Sequence, residues 1–282
     1  MADKLTIYRL AQRFVSFWLV ARLCDLVFAI SPMHANEIVV SFKIPRVYVW
    51  PSSFDLSVFN SEKSSRDRLR VRRELKIGNR FLLIYHGALG WQRGLFELIE
   101  AIRIVRETRD DVSLLFLGRG RGEHALRDLA RSSRLEGAIT FRGPVPYDEV
   151  PSFIAAADAG VVPLPDQPQW RYQAPTKVLE YMAMGKPMIL TDIPAHRWLV
   201  GNRSSVFFCG QGSPVQIAEA ILKCVSSKVT VKSPDQTVAK FSSVTVGDEV
   251  LHIFAESIQK KELSGREKAL RAHENSEAQL SG

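Results

Sequence analysis

The chain has 282 residues, 46% of them hydrophobic and 24% charged. That ordinary globular balance excludes a disordered polyelectrolyte, a collagen-like repeat and a polytopic membrane protein. The net charge of +8 is uneven: residues 1–76 hold 13 basic against 7 acidic side chains, which suits an anionic membrane surface, a nucleic acid or an acidic partner. Cys24, Cys209 and Cys224 lie far apart without CxxC or Cys/His spacing. No disulfide framework or structural zinc site is therefore expected, each Cys reads as a small buried hydrophobe, and a reducing cytoplasm is the expected compartment.

Residues 4–23 read as a helix. The apolar stretch from Phe14 to Ile30 is interrupted by Arg22 and Asp25, whereas a bilayer span needs roughly 20 nearly uncharged residues. Two readings stay open for this helix. It lies on a membrane with Phe14, Phe17, Trp18 and Leu19 inward and Arg9, Arg13 and Arg22 nearby, or it packs against its own protein. Asp25–Ile30 follows as a short strand. Ser31-Pro32 caps a helix over 32–40, and Arg46–Trp50 is another strand. The polar, basic stretch 60–76 reads as a linker ending in a short helix. It alternates with Glu62, Asp67 and Glu74 and lacks interleaved aromatics, so a solvated face is expected there and no nucleic acid.

From residue 80 short apolar runs alternate with helical periods. The strands are Phe81–Tyr85, Val112–Leu117, Ala138–Phe141, Gly160–Pro163, Pro187–Leu190 and Val206–Phe208. The helices are Leu95–Val105, one ending at Ala130, Glu149–Ala157, 176–184 and Pro214–Cys224. This alternation predicts an α/β fold, one doubly wound Rossmann-like parallel sheet over about 77–230. The expected organisation is an N-terminal segment 1–60, a basic linker 61–76, a domain over 77–260 that ends in a helix at 246–260, and a disordered tail at 261–282.

Open parallel sheets bind ligands beyond the C-terminal ends of their strands. Two segments there carry chemistry. The first is the loop from His86 and Gly87 to Arg93 and Gly94, which joins the first strand of the sheet to a helix. Glycines let the backbone approach a ligand closely, and Arg93 at a helix start can grip a diphosphate through paired hydrogen bonds. A Gly-rich turn with a solvated Arg explains the same residues equally well. The second is Ala174–Pro187. Pro175 pre-sets a helix start, leaving the amides of Thr176, Lys177 and Val178 free to hold a phosphate. Glu180 lies one turn on, where a carboxylate can accept both ribose hydroxyls; a plain surface pair between Lys177 and Glu180 is the competing reading. The spacing Gly118-x-Gly120-x-Gly122 is not the dinucleotide pattern GxGxxG, so a dehydrogenase is disfavoured.

Together these segments resemble the donor-binding half of family 4 glycosyltransferases, retaining enzymes of GT-B fold. Gly87…Arg93-Gly94 and Lys177-x-x-Glu180-Tyr181-Met182-Ala183-x-Gly185-Lys186-Pro187 carry the resemblance. Leu117-Gly118-x-Gly120, Phe141-x-Gly143-x-Val145-Pro146 and Ala157-Asp158 add to it, and it covers about residues 20–260. The resemblance implies a nucleotide-sugar donor, with Glu180 on the ribose, the amides of Thr176, Lys177 and Val178 on the β-phosphate, and Arg93 neutralising the departing diphosphate. It also implies that the Gly143–Val145 loop meets the base. No metal or other cofactor is implied. His86, at the strand end, is a candidate donor contact, whereas His34, His124 and His196 read as structural. Ala88 and Tyr172 depart from the family's basic residue and first Glu, so Arg119 and Gln173 are candidates to compensate. About 25 residues precede the interdomain segment, where a second domain needs roughly 100–150. The acceptor, whether a sugar, a lipid-linked group or a protein, is therefore expected to need a partner chain. The alternative is a non-catalytic binding protein derived from such an enzyme. The expected location is cytoplasmic, on the inner face of a membrane if the N-terminal helix engages lipid.

Overall fold

The structure, a computed structural model, describes residues 15–20, 22–61, 64, 66–210, 212–227, 229 and 236–280. The chain divides into two units, one of residues 52–243 and one formed by 1–51 together with 244–282.

The larger unit is built on a six-stranded parallel sheet. Its strands are β3 (Phe81–His86), β4 (Val112–Leu117), β5 (Ile139–Gly143), β6 (Ala159–Val162), β7 (Met188–Thr191) and β8 (Val206–Cys209). Their spatial order is β5-β4-β3-β6-β7-β8. β3, β4 and β6 are almost uninterrupted apolar runs because helices cover both faces of a parallel sheet. Leu82 and Ile84 point into one core with Val178, Leu179 and Met182. Leu83 and Tyr85, one residue out of phase, point into the other with Leu98, Ile99 and Ile102. The strand order reverses between β3 and β6, the place where such sheets open a crevice at their C-terminal edge.

The basic stretch 61–76 ends in the short helix expected of it, but the solvated face expected for that helix is corrected. Its helix, Arg68–Glu74, buries Val71 and Arg72 against the sheet unit. Arg68 Nη1 donates to the carbonyls of Ala155, Ala156 and Ala157 at 2.8, 3.0 and 3.0 Å. Those are the open carbonyls at the end of the Val150–Ala156 helix, where a cation is favoured. Arg72 Nη1 donates to Asp158 Oδ2 at 3.1 Å, Arg68 Nη2 to Oδ1 at 2.6 Å, and the Leu82 amide to Oδ2 at 2.8 Å. Two arginines of the basic run, Arg68 and Arg72, therefore cap and brace the fold instead of facing solvent.

The smaller unit holds β1 (Phe28–Ala29) and β2 (Tyr48–Val49), paired in parallel around the Pro32–Phe42 helix. Ser31 caps that helix by accepting from the His34 amide at 3.3 Å. Both strands are shorter than expected. Residues 15–20 are helical, and Phe17 stacks on Phe42 with ring centroids 3.8 Å apart. Phe17 and Val20 thus pack within their own unit, while Val15, Trp18, Leu19 and Leu23 are exposed. Phe14, Arg9 and Arg13 lie outside the described residues. Cys209 and Cys224 are buried as expected, but Cys24 is exposed. The last helix, Ser243–Leu280, corrects both its own boundary and the tail. Glu, Lys, Arg and Ala beyond residue 260 are strong helix formers, and the composition that suggested disorder sustains a helix instead. Among the described residues no helix is long and apolar enough to cross a membrane.

Candidate functional site

Alternation along β3 sets the site. His86, its last residue, points to the same side as Leu82 and Ile84, toward the Thr176–Ala183 helix. There the imidazole meets Glu180: Nε2 contacts Oε2 of the carboxylate, and Nδ1 lies 2.9 Å from the Tyr181 hydroxyl. Tyr181 Oη in turn donates to the Ile84 carbonyl at 2.9 Å. The Tyr181 ring lies against Gly160 of β6, where a Cβ would come within 2.3 Å of it. The two segments singled out in the sequence, some ninety residues apart, therefore converge at the β3–β6 crevice.

Lys177 and Glu180 are both buried, at 7% and 4% exposure, which overturns the surface-pair reading. The Lys177 ammonium sits 3.9 Å from the centre of the Tyr85 ring and 3.5 Å from where a Cβ on Gly87 would lie. The latter is ordinary contact distance, so what calls for glycine at position 87 is its backbone, at φ +111°, and not space for the cation. Burial lowers the Lys177 pKa; Tyr85 opposes this and Arg93 adds to it. Burial also lowers the His86 pKa, against the pull of Glu180.

Arg93 lies over the Trp170 ring at 4.8 Å, so a residue of the β3 loop reaches the loop that follows β6. Gly94 makes this approach possible. Its φ is +70°, and a Cβ would fall 1.9 Å from the Pro163 carbonyl oxygen. The amides at the start of the Thr176–Ala183 helix need one correction. Val178 N–H donates to the Pro175 carbonyl at 3.0 Å, a tight first turn that spends this donor. The amides of Thr176 and Lys177 have no backbone partner among the described residues.

The remaining candidates sit on neighbouring loops. Arg119 is exposed after β4, where its carbonyl accepts from the Leu89 amide at 3.0 Å. Gly143 ends β5 at φ +81° and accepts from the Gly118 amide at 3.0 Å. Val145 is half-buried and packs on the core. From this loop it is Tyr147 that reaches Glu180, with Oη 3.5 Å from Oε1. Burial and then Glu180 push the Tyr147 phenol up to about 12. Gln173 is half-buried in the loop before the helix. His124 is exposed, and His196 is fully buried with Nδ1 donating to the Thr191 carbonyl at 2.8 Å. Tyr85 had no signal of its own in sequence, since an aromatic in an apolar run reads as core; Tyr147 and Trp170 stand in polar, Pro-containing loops that do not show what they reach; and Tyr181 was legible only as a member of its motif.

The arrangement combines two open helix-start amides and two cations with a buried carboxylate one turn below, which suits an anionic group joined to a polyol. No cluster of metal-ligating side chains occurs among the described residues.

Comparison with known proteins adds a lineage. The chain is 29% identical over 175 residues to the putative teichuronic acid biosynthesis glycosyltransferase TuaC of Bacillus subtilis strain 168, covering 62% of this chain and 40% of that protein. It is 27% identical over 139 residues to a glycogen synthase of Mycobacterium tuberculosis, covering 49% and 32%. The chain thus spans less than half the length of these curated relatives. Among solved structures, Anabaena Alr3699/HepE in complex with UDP has a TM-score of 0.72 at 22% identity, covering 86% of this chain and 66% of that one. The sucrose-phosphate synthase of Thermosynechococcus elongatus has a TM-score of 0.73 at 16% identity, with 89% and 62% covered. These likenesses show the fold, in which the six-stranded unit is one half of a GT-B architecture. Residues 80–227 match the model of the family described as glycosyl transferases, group 1. Because that match runs through all six strands and through both segments that meet at Glu180, the chain belongs to the group 1 glycosyl transferases.

Proposed function

We propose that this chain carries the donor half of a retaining, family 4 glycosyltransferase, which moves a sugar from a nucleotide-sugar to a sugar, lipid-linked or protein acceptor. The observation that carries this reading is the buried Glu180 one turn below the open amides of Thr176 and Lys177 at the β3–β6 crevice. In this reading Glu180 accepts the ribose hydroxyls and the two amides, with Lys177, hold the β-phosphate. The loop of Gly143 and Val145 meets the base. Arg93 stabilises the charge that builds on the diphosphate as the glycosidic bond breaks. That role asks for no metal. HepE, a relative in fold, was crystallised with UDP and with UDP-glucose, which supports a nucleotide-sugar as the ligand class.

In this reading a partner chain takes part in presenting the acceptor. The exposed Val15, Trp18, Leu19 and Leu23, with Arg22 beside Trp18, make the N-terminal helix the surface that meets such a partner or an anionic membrane at the cytoplasmic face. Ala88, in place of a second cation, favours one alternative: a site that binds the donor without turning it over.

The test is a thermal-shift and calorimetric screen of the full chain against UDP-, GDP-, ADP- and dTDP-sugars. One nucleotide is expected to stabilise it, and Glu180→Ala to weaken that binding by about 1–3 kcal/mol through lost charged hydrogen bonds. No stabilisation by any of the four would remove the donor reading. Binding without turnover, even with an acceptor half supplied, would select the non-catalytic alternative.

A further inference from the structure

We propose a second anion site on the sheet unit: a cavity at the N-terminal edge of the sheet that takes a phosphate group joined to an apolar body. It goes beyond the donor reading and stands whether or not that reading holds.

The cavity has a volume of about 910 Å³ and lies wholly within the sheet unit, inside the range of about 300–1,000 Å³ usual for small-ligand sites. Phe81, which lines it, opens β3, and His86 closes that strand in the crevice. Five residue steps of about 3.3 Å put roughly 16 Å between the two, so the cavity is separate from the crevice.

Five cations and two carboxylates line it. Both carboxylates are spent. Asp111 pairs with Arg109 at 2.7 Å, and Asp158 is shared by Arg68 and Arg72. Arg68 and Arg72 are also tied to backbone carbonyls, so they lend charge without moving to a ligand. Arg73 and Lys76 differ. Both are exposed, and Arg73 donates only along its own helix, to the Leu69 carbonyl at 3.2 Å. Among the described residues neither has a carboxylate partner. The acids of that helix serve other groups: Glu74 takes Arg70 and Arg142, and Asp67 takes Arg70 and Ser152. The partial negative charge at the end of the Val150–Ala156 helix does not account for Arg73 and Lys76 either, because Arg68 and Lys186 already donate to its last carbonyls. Lys186 feels the excess of positive charge: burial first, and then Arg68, lower its pKa to about 8.

The lining also says what the anion is attached to. A guanidinium and an ammonium suit phosphate oxygens, and the Asn79 side-chain amide adds a neutral donor. Beside them Leu69, 68% exposed, joins Phe81 and Val225 as apolar lining. A bare ion leaves that surface wet; an organic phosphate covers it.

The test is titration of the full chain with phenyl phosphate and with inorganic phosphate, followed by 15N NMR. Phenyl phosphate is expected to shift the amides of Gly78 and Asn79 and to bind several-fold more tightly than inorganic phosphate. Arg73→Gln with Lys76→Gln alters two exposed side chains. It should keep the denaturation midpoint and lower the affinity at least about tenfold, whereas Arg93→Ala in the crevice should leave that affinity as it is. Co-sedimentation with phosphatidylcholine vesicles that contain phosphatidylglycerol, lost in the double variant, assigns the phosphate to a lipid headgroup. Phenyl phosphate binding without that dependence assigns it to a soluble ester. Shifts confined to the crevice, equal binding of the two phosphates, or an affinity unchanged in the double variant overturns the proposal.

Discussion

The Tyr181 ring lies so close over Gly160 that a Cβ on that glycine would sit 2.3 Å from a ring carbon. Gly160 is in the middle of the sheet, paired with both β3 and β7, so the strand cannot retreat. Gly160→Ala must push the tyrosine away from the Ile84 carbonyl and His86. Overpacking of this kind costs about 1–3 kcal/mol, read as a lower midpoint in urea denaturation. Under the proposed function nucleotide affinity should fall as well, because His86 loses the hydroxyl that holds its ring beside Glu180. Unchanged affinity in a folded Gly160→Ala variant would show that Tyr181 does not position the site.

Among the described residues Arg93 is held over Trp170 and not by a carboxylate, so its charge remains available to an incoming diphosphate. Under the proposed function, Arg93→Ala should lower kcat by about 100-fold, the scale of one lost transition-state charge contact, while KM changes far less. Equal losses in both parameters would argue against a leaving-group role. Turnover by an enzyme that works in this way should also survive chelation of divalent ions.

Asp158 ties three segments together through Arg68, Arg72 and the Leu82 amide. Burial alone would raise its pKa, but the Leu82 amide and the two guanidiniums outweigh that, and the carboxyl is held below its ordinary value. Asp158→Asn should destabilise the chain by about 2–3 kcal/mol at neutral pH, because it strands two arginines among backbone carbonyls. A carboxyl with a lowered native pKa contributes fully above its unfolded value of about 3.9 and less as pH falls through the native value. The gap between wild type and Asp158→Asn in denaturant should therefore narrow in acid. A constant gap would mean that the charge is not what matters.

His196 titrates in the opposite sense from an imidazole with a carboxylate partner. Burial depresses its pKa to about 4, and the hydrogen bond to the Thr191 carbonyl only partly offsets this. The unfolded imidazole protonates near pH 6.5, so the folded state binds fewer protons between about 6.5 and 4 and loses stability over that window. Thermal denaturation followed from pH 7 to 4 should show the loss, and His196→Phe should remove part of it. An identical acid profile in the variant would assign the loss to other groups.

What could be read from the sequence, and what could not, divides by the distance over which each signal acts. β3, β4 and the Leu95–Val105 helix are bounded by their own apolar runs, and their limits in the structure match the expected ones to within a residue. Lys177 and Glu180 were legible as a pair because a helix repeats every 3.6 residues. Their burial was not, since it depends on Tyr85 and His86 of β3, about ninety positions away. Arg68 and Arg72 looked solvated for the same reason: the carbonyls of Ala155–Ala157 and the Asp158 carboxylate lie beyond residue 150, and only the Gly78 and Arg80 carbonyls that also receive Arg72 are near in sequence. Val178 was misassigned because counting donors at a helix start does not reveal a tight first turn.

The division of the chain into units has a consequence for synthesis. The sheet unit is one uninterrupted stretch, residues 52–243, whereas the smaller unit is assembled from segments on either side of it. As the ribosome extends the chain, every strand of the sheet has emerged before the Ser243–Leu280 helix exists. Domains generally fold as units in the order they are made. Here the unit begun first is finished last: the sheet unit can close while residues 1–51 still wait for the Ser243–Leu280 helix that belongs to their unit.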